Sequence, residues 1–373
     1  MNAQSGTDSL DRKIKISGYI KSLQSAYILN NSPLFTDQLI HNRINLKQEI
    51  IKNHTWNLEF RNRIFYGQLV QLSQSSGTKF LKTINTDENK WIRPSFGLES
   101  KKGIATLIQL DRAYWQWSPE NWEIRIGRQR VNWGMATIWN PNDIFNAYGF
   151  TDFDYEERPA VDGIRIRRFI GYSGSIEAVA SIGKNSSDLS FGSLYKTNIG
   201  TYDMQFLAGY TDHHYAIGVG TAGNLGLSGL KMETTIFVPE NGGNVDLSST
   251  VSIDYTFKNG VFISGGGLYN SQGKTEGDLS TLFNFQLSAR NLYPYKWAIL
   301  SSLGFDITAL LNANLVAVYS PVQSNALFIN PNLTYSIAEA WDINLIGQLA
   351  FNTASGKYTS PIKGFFLRLK YSF

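Results

Sequence analysis

The sequence lacks cysteine altogether, has no long apolar segment and carries little charge. Without cysteine, neither a disulfide framework nor a thiolate metal site can form. A membrane-spanning helix needs about 20 mostly apolar residues. The apolar runs of this chain are much shorter, such as Trp297–Leu300. Charged residues make up 17% of the 373 residues, against about 25% in soluble globular domains. The composition excludes a helical membrane protein and argues against a water-soluble helical enzyme.

The charges are balanced in number but unevenly distributed along the chain. The net charge is +4, from 34 basic and 30 acidic residues, which does not indicate nucleic-acid binding. The arginines are concentrated early in the chain, since only Arg290 and Arg368 follow Arg168. One part of the chain therefore carries a dense mixed charge, and the other is mainly Asn, Ser, Gln and Gly.

The abundant residues are those of β-strands and turns. Glycine occurs 33 times, and aromatic residues make up 13% of the chain. In the C-terminal segment, Phe365, Leu367 and Leu369 share one face, while Arg368 and Lys370 share the other. Successive side chains of a strand point to opposite faces, so this alternation predicts strands. We find it in about 18 segments of the chain.

The connections between these segments are alternately short and long. Tight turns such as 198–200 and 258–260 are separated by long connections such as 71–102, 131–161, 271–293 and 353–361. Outer-membrane barrels have this pattern, because their periplasmic turns are short and their extracellular loops are long. We therefore predict an all-β fold, a transmembrane antiparallel β-barrel of about 18 strands, with about 16 as the alternative.

The barrel accounts for nearly the whole chain as one domain. Residues 13–373 are predicted to form it, and residues 1–12 a periplasmic N-terminal tail in which 1–4 are the remnant of an export signal. An even strand number places both termini on the periplasmic side. Aromatic residues at strand ends, such as Trp56, and the terminal Phe373 are typical of interfacial girdles. The predicted location is the bacterial outer membrane, in contact with its lipid and lipopolysaccharide.

The polar strand faces are predicted to line the lumen, because the faces rich in Trp, Ile and Leu suit lipid. A barrel of this size encloses water unless loops narrow it. One wall of the lumen is then mixed in charge but mainly basic. These charges either select solutes by sign or form salt bridges that only hold the inner surface together. The predicted basic lumen residues are Arg43, Lys47, Arg61, Arg63, Arg125, Arg165 and Arg167.

The connection 131–161 is too apolar and aromatic to lie in water, so we predict that it folds into the lumen. Its acids would face the arginine wall. They would form either a charged constriction that selects by sign or a plug whose charges are internally paired and which does not conduct. The predicted acidic lumen residues are Asp143, Asp152, Asp154, Glu156 and Glu157.

One stretch of the chain resembles a known family. The segment Gly127–Gly134, followed by Trp139–Asp143, is similar to the Gly-Arg-Gln strand end and following loop of alginate-export-type and related porin-like barrels of Bacteroidota. The similarity covers residues 125–161. It implies an arginine-rich lumen that attracts a polyanion. The residues that would play this part are Arg61, Arg63, Arg125, Arg165 and Arg167.

The sequence predicts an outer-membrane channel for passive diffusion of small polar or anionic solutes. The alternative is a non-conducting barrel, a structural subunit that joins other outer-membrane or periplasmic subunits in secretion, glycan uptake or barrel assembly. An enzyme is not predicted, because none of the four histidines stands in a recognisable triad with a serine and an acid. His213 and His214 would point apart on a strand, so neither a metal nor a cofactor is predicted.

Overall fold

The computed structural model describes most of the predicted barrel domain. Residues 1–12, which are predicted to form a periplasmic tail, lie outside the described part of the chain. Neither of the two helices is long and apolar enough to cross a membrane within the described part of the chain. The described residues are 13–29, 32–77, 79–85, 90–100, 102–147, 158–185, 188–276, 285, 287–354 and 356–373.

The described residues form a 19-stranded antiparallel sheet and two short helices, α1 (Gln68–Ser75) and α2 (Phe80–Ile84). The strands are β1 (Lys15–Leu29), β2 (Phe35–Ile51), β3 (His54–Gly67), β4 (Ser95–Ser100), β5 (Ile104–Trp117), β6 (Trp122–Gln129), β7 (Val161–Ile170), β8 (Gly174–Ile182), β9 (Ser190–Ile199), β10 (Tyr202–Thr211), β11 (His214–Leu225), β12 (Ser228–Pro239), β13 (Asp246–Thr256), β14 (Phe262–Asn270), β15 (Trp297–Thr308), β16 (Leu311–Ser320), β17 (Ala326–Ala338), β18 (Trp341–Ala354) and β19 (Lys357–Ser372).

The sheet closes on itself as a barrel. Each strand of the ring pairs with its neighbour in sequence, and β1 pairs with β19 from Tyr19–Ser372 to Leu29–Ile362. Strand β3 pairs directly with β5, so β4 stands outside the ring, which has 18 strands. Closure gives every strand of the ring a partner on both sides, as a barrel in lipid requires. The predicted antiparallel barrel of 18 strands is confirmed.

The two faces of the wall follow the alternation of the sequence. On β19, Leu367 is 48% exposed and points outward, whereas Phe366 is 3% exposed and points inward. On the neighbouring β18, Trp341 and Leu345 face outward, and Asn344 is buried on the inner face. The apolar outer face suits acyl chains, and the inner face encloses polar groups.

The wall departs from regular pairing beside β5. The end of the barrel where β1 begins and β19 ends is called the terminal end, and the opposite end the loop end. At the terminal end, residues 113–117 of β5 pair with β6. Towards the loop end, residues 104–109 pair with β4 on that same side. Strand β4 therefore completes the wall where β6 stops short, and its Phe96 and Leu98 are exposed on the outer surface.

Arg128 lies where the pairing of β5 changes from β6 to β4. Its side chain is buried, and it holds Asp162 on β7 through two hydrogen bonds, from Nε to Oδ1 at 2.7 Å and from Nη2 to Oδ2 at 2.9 Å. It also donates to the backbone oxygens of Leu110, at 3.2 Å, and Ile92. The guanidinium thus supplies donors to carbonyl groups at the junction of the strands.

We expect Arg128→Met to destabilise the folded barrel strongly. The substitution leaves the Asp162 carboxylate buried without its cation and removes the donor from two carbonyl groups. Breaking such a buried pair costs about 3–5 kcal/mol. The control is Arg168→Met, since Arg168 is exposed on β7 beside the Trp122 ring, and its loss changes stability by no more than about 0.5 kcal/mol. Urea unfolding of the protein in detergent micelles measures both, and equal losses would contradict the role given to Arg128.

Two predictions about connections were wrong. The predicted loop 71–102 contains the end of α1, all of α2 and β4, and the predicted loop 353–361 is largely strand, because β18 and β19 pair as far as Ala354 and Lys357. Period-two alternation is short in β4, where only Phe96 and Leu98 follow it, and absent from residues 353–361. Strands can continue there beyond the apolar belt, where no lipid requires an apolar outer face.

Candidate functional site

The lumen has a charged wall built by β2, β3 and β5. Arg43 donates to Asp111 Oδ2 at 2.5 Å and to Glu59. Arg61 Nη2 lies 3.0 Å from Asp111 Oδ1, so two arginines share one carboxylate. Arg63 donates to Gln109 Oε1 at 2.6 Å. Because the inward positions of adjacent strands lie side by side, residues far apart in sequence form one network.

The charged wall continues across β6, β7 and β8. Glu123 lies 3.1 Å from Arg125 and 3.4 Å from Arg165. Arg165 Nε also lies 3.1 Å from Glu177 Oε1, and Arg167 donates to Glu177 Oε2 at 2.6 Å. The two acids alternate with three arginines, which keeps the wall together while its cations outnumber its carboxylates.

The predicted basic residues all lie on the inner face, but they differ in access to the lumen. Arg43 and Arg61 have side chains only 2% exposed, and Arg165 is also buried. Arg125 and Arg167 are 22% and 25% exposed. Arg63 lies near the loop end and donates hydrogen bonds to Gln109 and to the backbone oxygen of Ile84. Lys47 lies at the terminal end and lines a cavity of about 320 Å³. Their role in selecting solutes stays a prediction.

The inserted loop, residues 131–147, folds into the barrel, where it packs against β8–β12 and, through Trp139, against β14–β18. Trp133 is fully buried and donates from its indole Nε1 to Glu177 at 2.6 Å. Glu233 on β12 accepts hydrogen bonds from the backbone N–H groups of Met135, Ala136, at 2.6 Å, and Asn142, at 3.1 Å. A single carboxylate therefore holds the backbone of the loop at two places, residues 135–136 and residue 142. The predicted insertion is confirmed for residues 131–147, and residues 148–157 of the predicted loop lie outside the described residues.

Inward-facing glycines on neighbouring strands make room for the inserted loop. A Cβ added to Gly218 on β11 would lie 2.3 Å from Asn142 Oδ1, and one added to Gly209 on β10 would lie 2.8 Å from Ile144 Cδ1. Both contacts are closer than side chains tolerate, so the loop approaches the wall at positions where only glycine fits. Thr235 on β12 completes this seat by donating to Asn142 Oδ1 at 2.6 Å.

A second segment lies inside the barrel at residues 287–296, where the sequence predicts the end of the long connection 271–293 and the start of a strand. Tyr293 and Tyr295 are buried with Trp139 of the inserted loop in an apolar cluster against β14–β18. Arg290 anchors this segment, with Nη1 2.9 Å from Asp246 Oδ2 and a further bond to Asp212. The two segments together cover much of the inner face from β8 to β18.

Of the acidic residues predicted in the loop, the structure describes Asp143. Asp143 is fully buried in the inserted loop, and the charged groups that act on it are Arg158, Arg130 and Glu233. Its neighbours Asn142 and Ile144 pack against Gly218 and Gly209, and the prediction that Asp143 faces the arginine wall stays a prediction. The remaining predictions lie outside the described residues: Asp152, Asp154, Glu156 and Glu157.

We expect Asp143 to weaken the barrel as the pH rises. Burial raises the pKa of this carboxyl, which lies outside the spanning strands, to about 7. The neutral acid is favoured in the folded state, so its contribution is complete below the unfolded pKa of about 4 and is lost as the pH rises through about 7. Asp143→Asn should therefore raise the melting temperature at pH 8 and leave it nearly unchanged at pH 4. Thermal unfolding in micelles at both pH values measures this, and an equal gain at both would contradict it.

The histidines stand in unrelated surroundings. His41 is buried on the inner face, with Nε2 3.4 Å from Tyr19 Oη. His213 lies 3.3 Å from Glu240, whereas Nε2 of His214 lies 3.1 Å from Arg290. Within the described ranges, no three acids or histidines come together in a way that could hold a metal ion.

No protein-family model and no curated protein matches this chain. Solved structures match it over nearly its full length. OccK5 (OpdH) of Pseudomonas aeruginosa has a TM-score of 0.62 at 10% identity, covering 97% of this chain and 98% of its own. The outer membrane protein OprD of the same organism has a TM-score of 0.58 at 8% identity, covering 96% and 93%. OpdK of Pseudomonas aeruginosa, solved with vanillate, has a TM-score of 0.56 at 8% identity, covering 97% and 98%.

These similarities establish the fold of the chain as that of an outer-membrane porin barrel. Identities of 10% and 8% carry no residue roles from one chain to the other. The resemblance to alginate-export-type barrels of Bacteroidota, drawn from residues 125–161, stays a prediction.

Proposed function

We propose that the protein is an outer-membrane channel for passive diffusion of small anionic solutes, with both termini in the periplasm. The observation that carries this proposal is the division of the lumen, in which arginines line β2–β7 while the inserted loop and residues 287–296 fill the side along β8–β18. A closed barrel with an apolar outer face suits the outer membrane. An enzymatic role has no support in the arrangement of the histidines.

The exposed charge of the lumen favours anions. The side chains of Arg112, Arg125 and Arg167 are 19%, 22% and 25% exposed. The acids paired with them are less accessible, at 14% for Glu59 and 2% for Glu177. A solute passing this wall therefore meets mainly guanidinium groups, and charge-lined passages select by sign.

Carboxylates are the anions that we expect to pass best. A guanidinium offers parallel N–H donors that match a carboxylate in shape and charge. The structurally similar OpdK was solved with vanillate, which is an aromatic carboxylate. The wall of this chain presents forked donors on three adjacent strands, β5, β6 and β7, so a carboxylate can pass from one arginine to the next.

The alternative is a barrel that does not conduct and serves as a structural subunit. The observation that favours it is the extent of the filling, because the inserted loop and residues 287–296 form continuous apolar clusters with the inner wall. A sealed interior would leave the charged wall as a set of salt bridges. Partners in secretion, glycan uptake or barrel assembly would then be sought by co-purification.

Uptake of three solutes with one carbon skeleton tests the proposal. Gluconate is an anion, glucose is neutral and glucosamine is a cation at pH 7, and none crosses lipid readily. Proteoliposomes should take up gluconate fastest and glucosamine slowest. Arg125→Gln combined with Arg167→Gln should reduce the difference. Equal rates would contradict anion selection, and no uptake of any of the three would favour the structural subunit.

A further inference from the structure

The outer face of β1–β3 differs in chemistry from that of β8–β18. From β8 to β18, the outward positions of the described strands hold apolar and aromatic residues, glycine, alanine, serine, threonine or proline. On β1–β3 they also hold carboxamides. The amide patch consists of Ser22, Gln24, Gln38, Asn42 and Asn62.

The strand register shows that the amide patch points outward. Asn42 lies between His41 and Arg43, which are buried on the inner face, and two residues from Ile40, which is 43% exposed. Asn42 pairs with Ile20 on β1 and with Asn62 on β3, so all three share the outer face. The same parity places Ser22 and Gln24 beside Ile20.

The patch lies well inside the spanning part of the wall. On β3, Asn62 stands between two outward aromatic residues, Trp56 near the terminal end and Tyr66 near the loop end. Aromatic residues mark the two interfaces of a membrane barrel. The amides of Asn42 and Asn62 are therefore at the depth of the acyl chains.

The hydrogen bonds of the patch are only partly satisfied within one chain. Asn62 donates to Asn42 Oδ1 at 3.0 Å, and Asn42 donates to the backbone oxygen of Tyr19 at 3.1 Å. Gln24 donates to the backbone oxygen of Asp37 at 3.1 Å. Within the described residues, the side-chain oxygens of Gln24 and Asn62 accept no hydrogen bond. Acyl chains offer no donor, so the Asn62 oxygen is costly to expose to lipid. Gln24 pairs with Gln38, which pairs with Tyr66, so its oxygen lies nearer the loop-end interface.

We infer that the outer face of β1–β3 is covered in the membrane by the same face of a second copy of this chain. Carboxamides both donate and accept, so a patch of them is complementary to itself across a two-fold axis. The patch is uncharged, so two copies meet without repulsion. A second copy supplies N–H donors to the oxygens of Gln24 and Asn62 that one chain leaves unused.

Site-specific cross-linking tests this contact directly, because the chain has no cysteine of its own. Asn42→Cys and Asn62→Cys each place one thiol in the patch. Ser301→Cys is the matched control, since Ser301 is exposed on the outer face of β15, far from β1 in the ring. Mild oxidation in native membranes should give a product of twice the chain mass for Asn42→Cys or Asn62→Cys, and none for Ser301→Cys.

The inference is overturned if neither patch cysteine cross-links, if Ser301→Cys cross-links as readily, or if the product has a mass that requires a different protein. A second experiment removes the amides. Asn42→Leu combined with Asn62→Leu suits lipid and should leave a folded barrel, but it should abolish the two-chain species in native mass spectrometry. Ser301→Leu should retain that species. A dimer that survives the double substitution would also overturn the inference, whatever the channel conducts.

Discussion

Excising residues 134–145 and joining the ends with a short glycine-serine linker should raise the single-channel conductance several-fold. The conductance of a water-filled barrel depends on its free cross-section, and the inserted loop occupies part of the lumen along β8–β12. Glu233 and the seat at Gly218 hold the loop there through contacts that excision removes together. Planar bilayer recordings measure the change.

Excision of the β12–β13 turn, residues 241–244, is the control for the loop deletion. This turn lies at the loop end and does not enter the barrel, so its loss should leave the conductance unchanged. The heat-dependent shift in gel mobility verifies that both proteins are folded. The substitution Gly218→Val disturbs the loop less than its deletion does. The valine side chain collides with Asn142, so the single-channel current of this variant should become noisy. An unchanged conductance in a folded loop deletion would contradict the role of the inserted loop.

Replacing Arg125 and Arg167 by glutamate should reverse the ion preference of the channel from anions to cations. These arginines are among the exposed cations of the charged wall, and the double change replaces two positive charges by two negative ones beside Glu123 and Glu177. Charge-lined passages select by the sign of the lining groups. The reversal potential in a salt gradient should change sign.

Arg168→Glu is the control for the charge reversal, because Arg168 lies on the same strand as Arg167 but faces outward. It changes the net charge of the protein without changing the lumen, so the reversal potential should stay that of the wild type. If both variants shift the potential alike, the total charge of the protein rather than the lumenal wall sets the preference. If neither shifts it, the arginines are only structural.

The sequence predicts the ring of strands because lipid and lumen impose opposite chemistry on successive residues. Phe365 to Phe373 follow this rule without exception on the outer face, and the 18 strands of the barrel are found by it. The rule fails where one face does not meet lipid. Strand β4 follows two helices in a segment whose alternation is short, and residues 353–361 have no apolar face.

The site could be predicted in part. The inward arginines follow from strand parity, and the insertion of 131–147 follows from its apolar composition. The same reasoning applied to Leu292, Tyr293 and Tyr295 indicates that the second segment also folds inward, so that signal was present in the sequence. The functions of Glu177 and Glu233 could not be predicted. Each is a single acid on a strand, and its partner in the inserted loop becomes a neighbour only when the barrel closes.

The reversal potential of the wild-type protein in a KCl gradient tests the central claim most directly. Purified protein inserted into a planar bilayer should give stable current steps, and the potential at zero current should have the sign of a chloride-preferring pore. A barrel that inserts and remains silent, or one whose potential has the sign of potassium preference, would contradict an anion channel lined by the arginine wall.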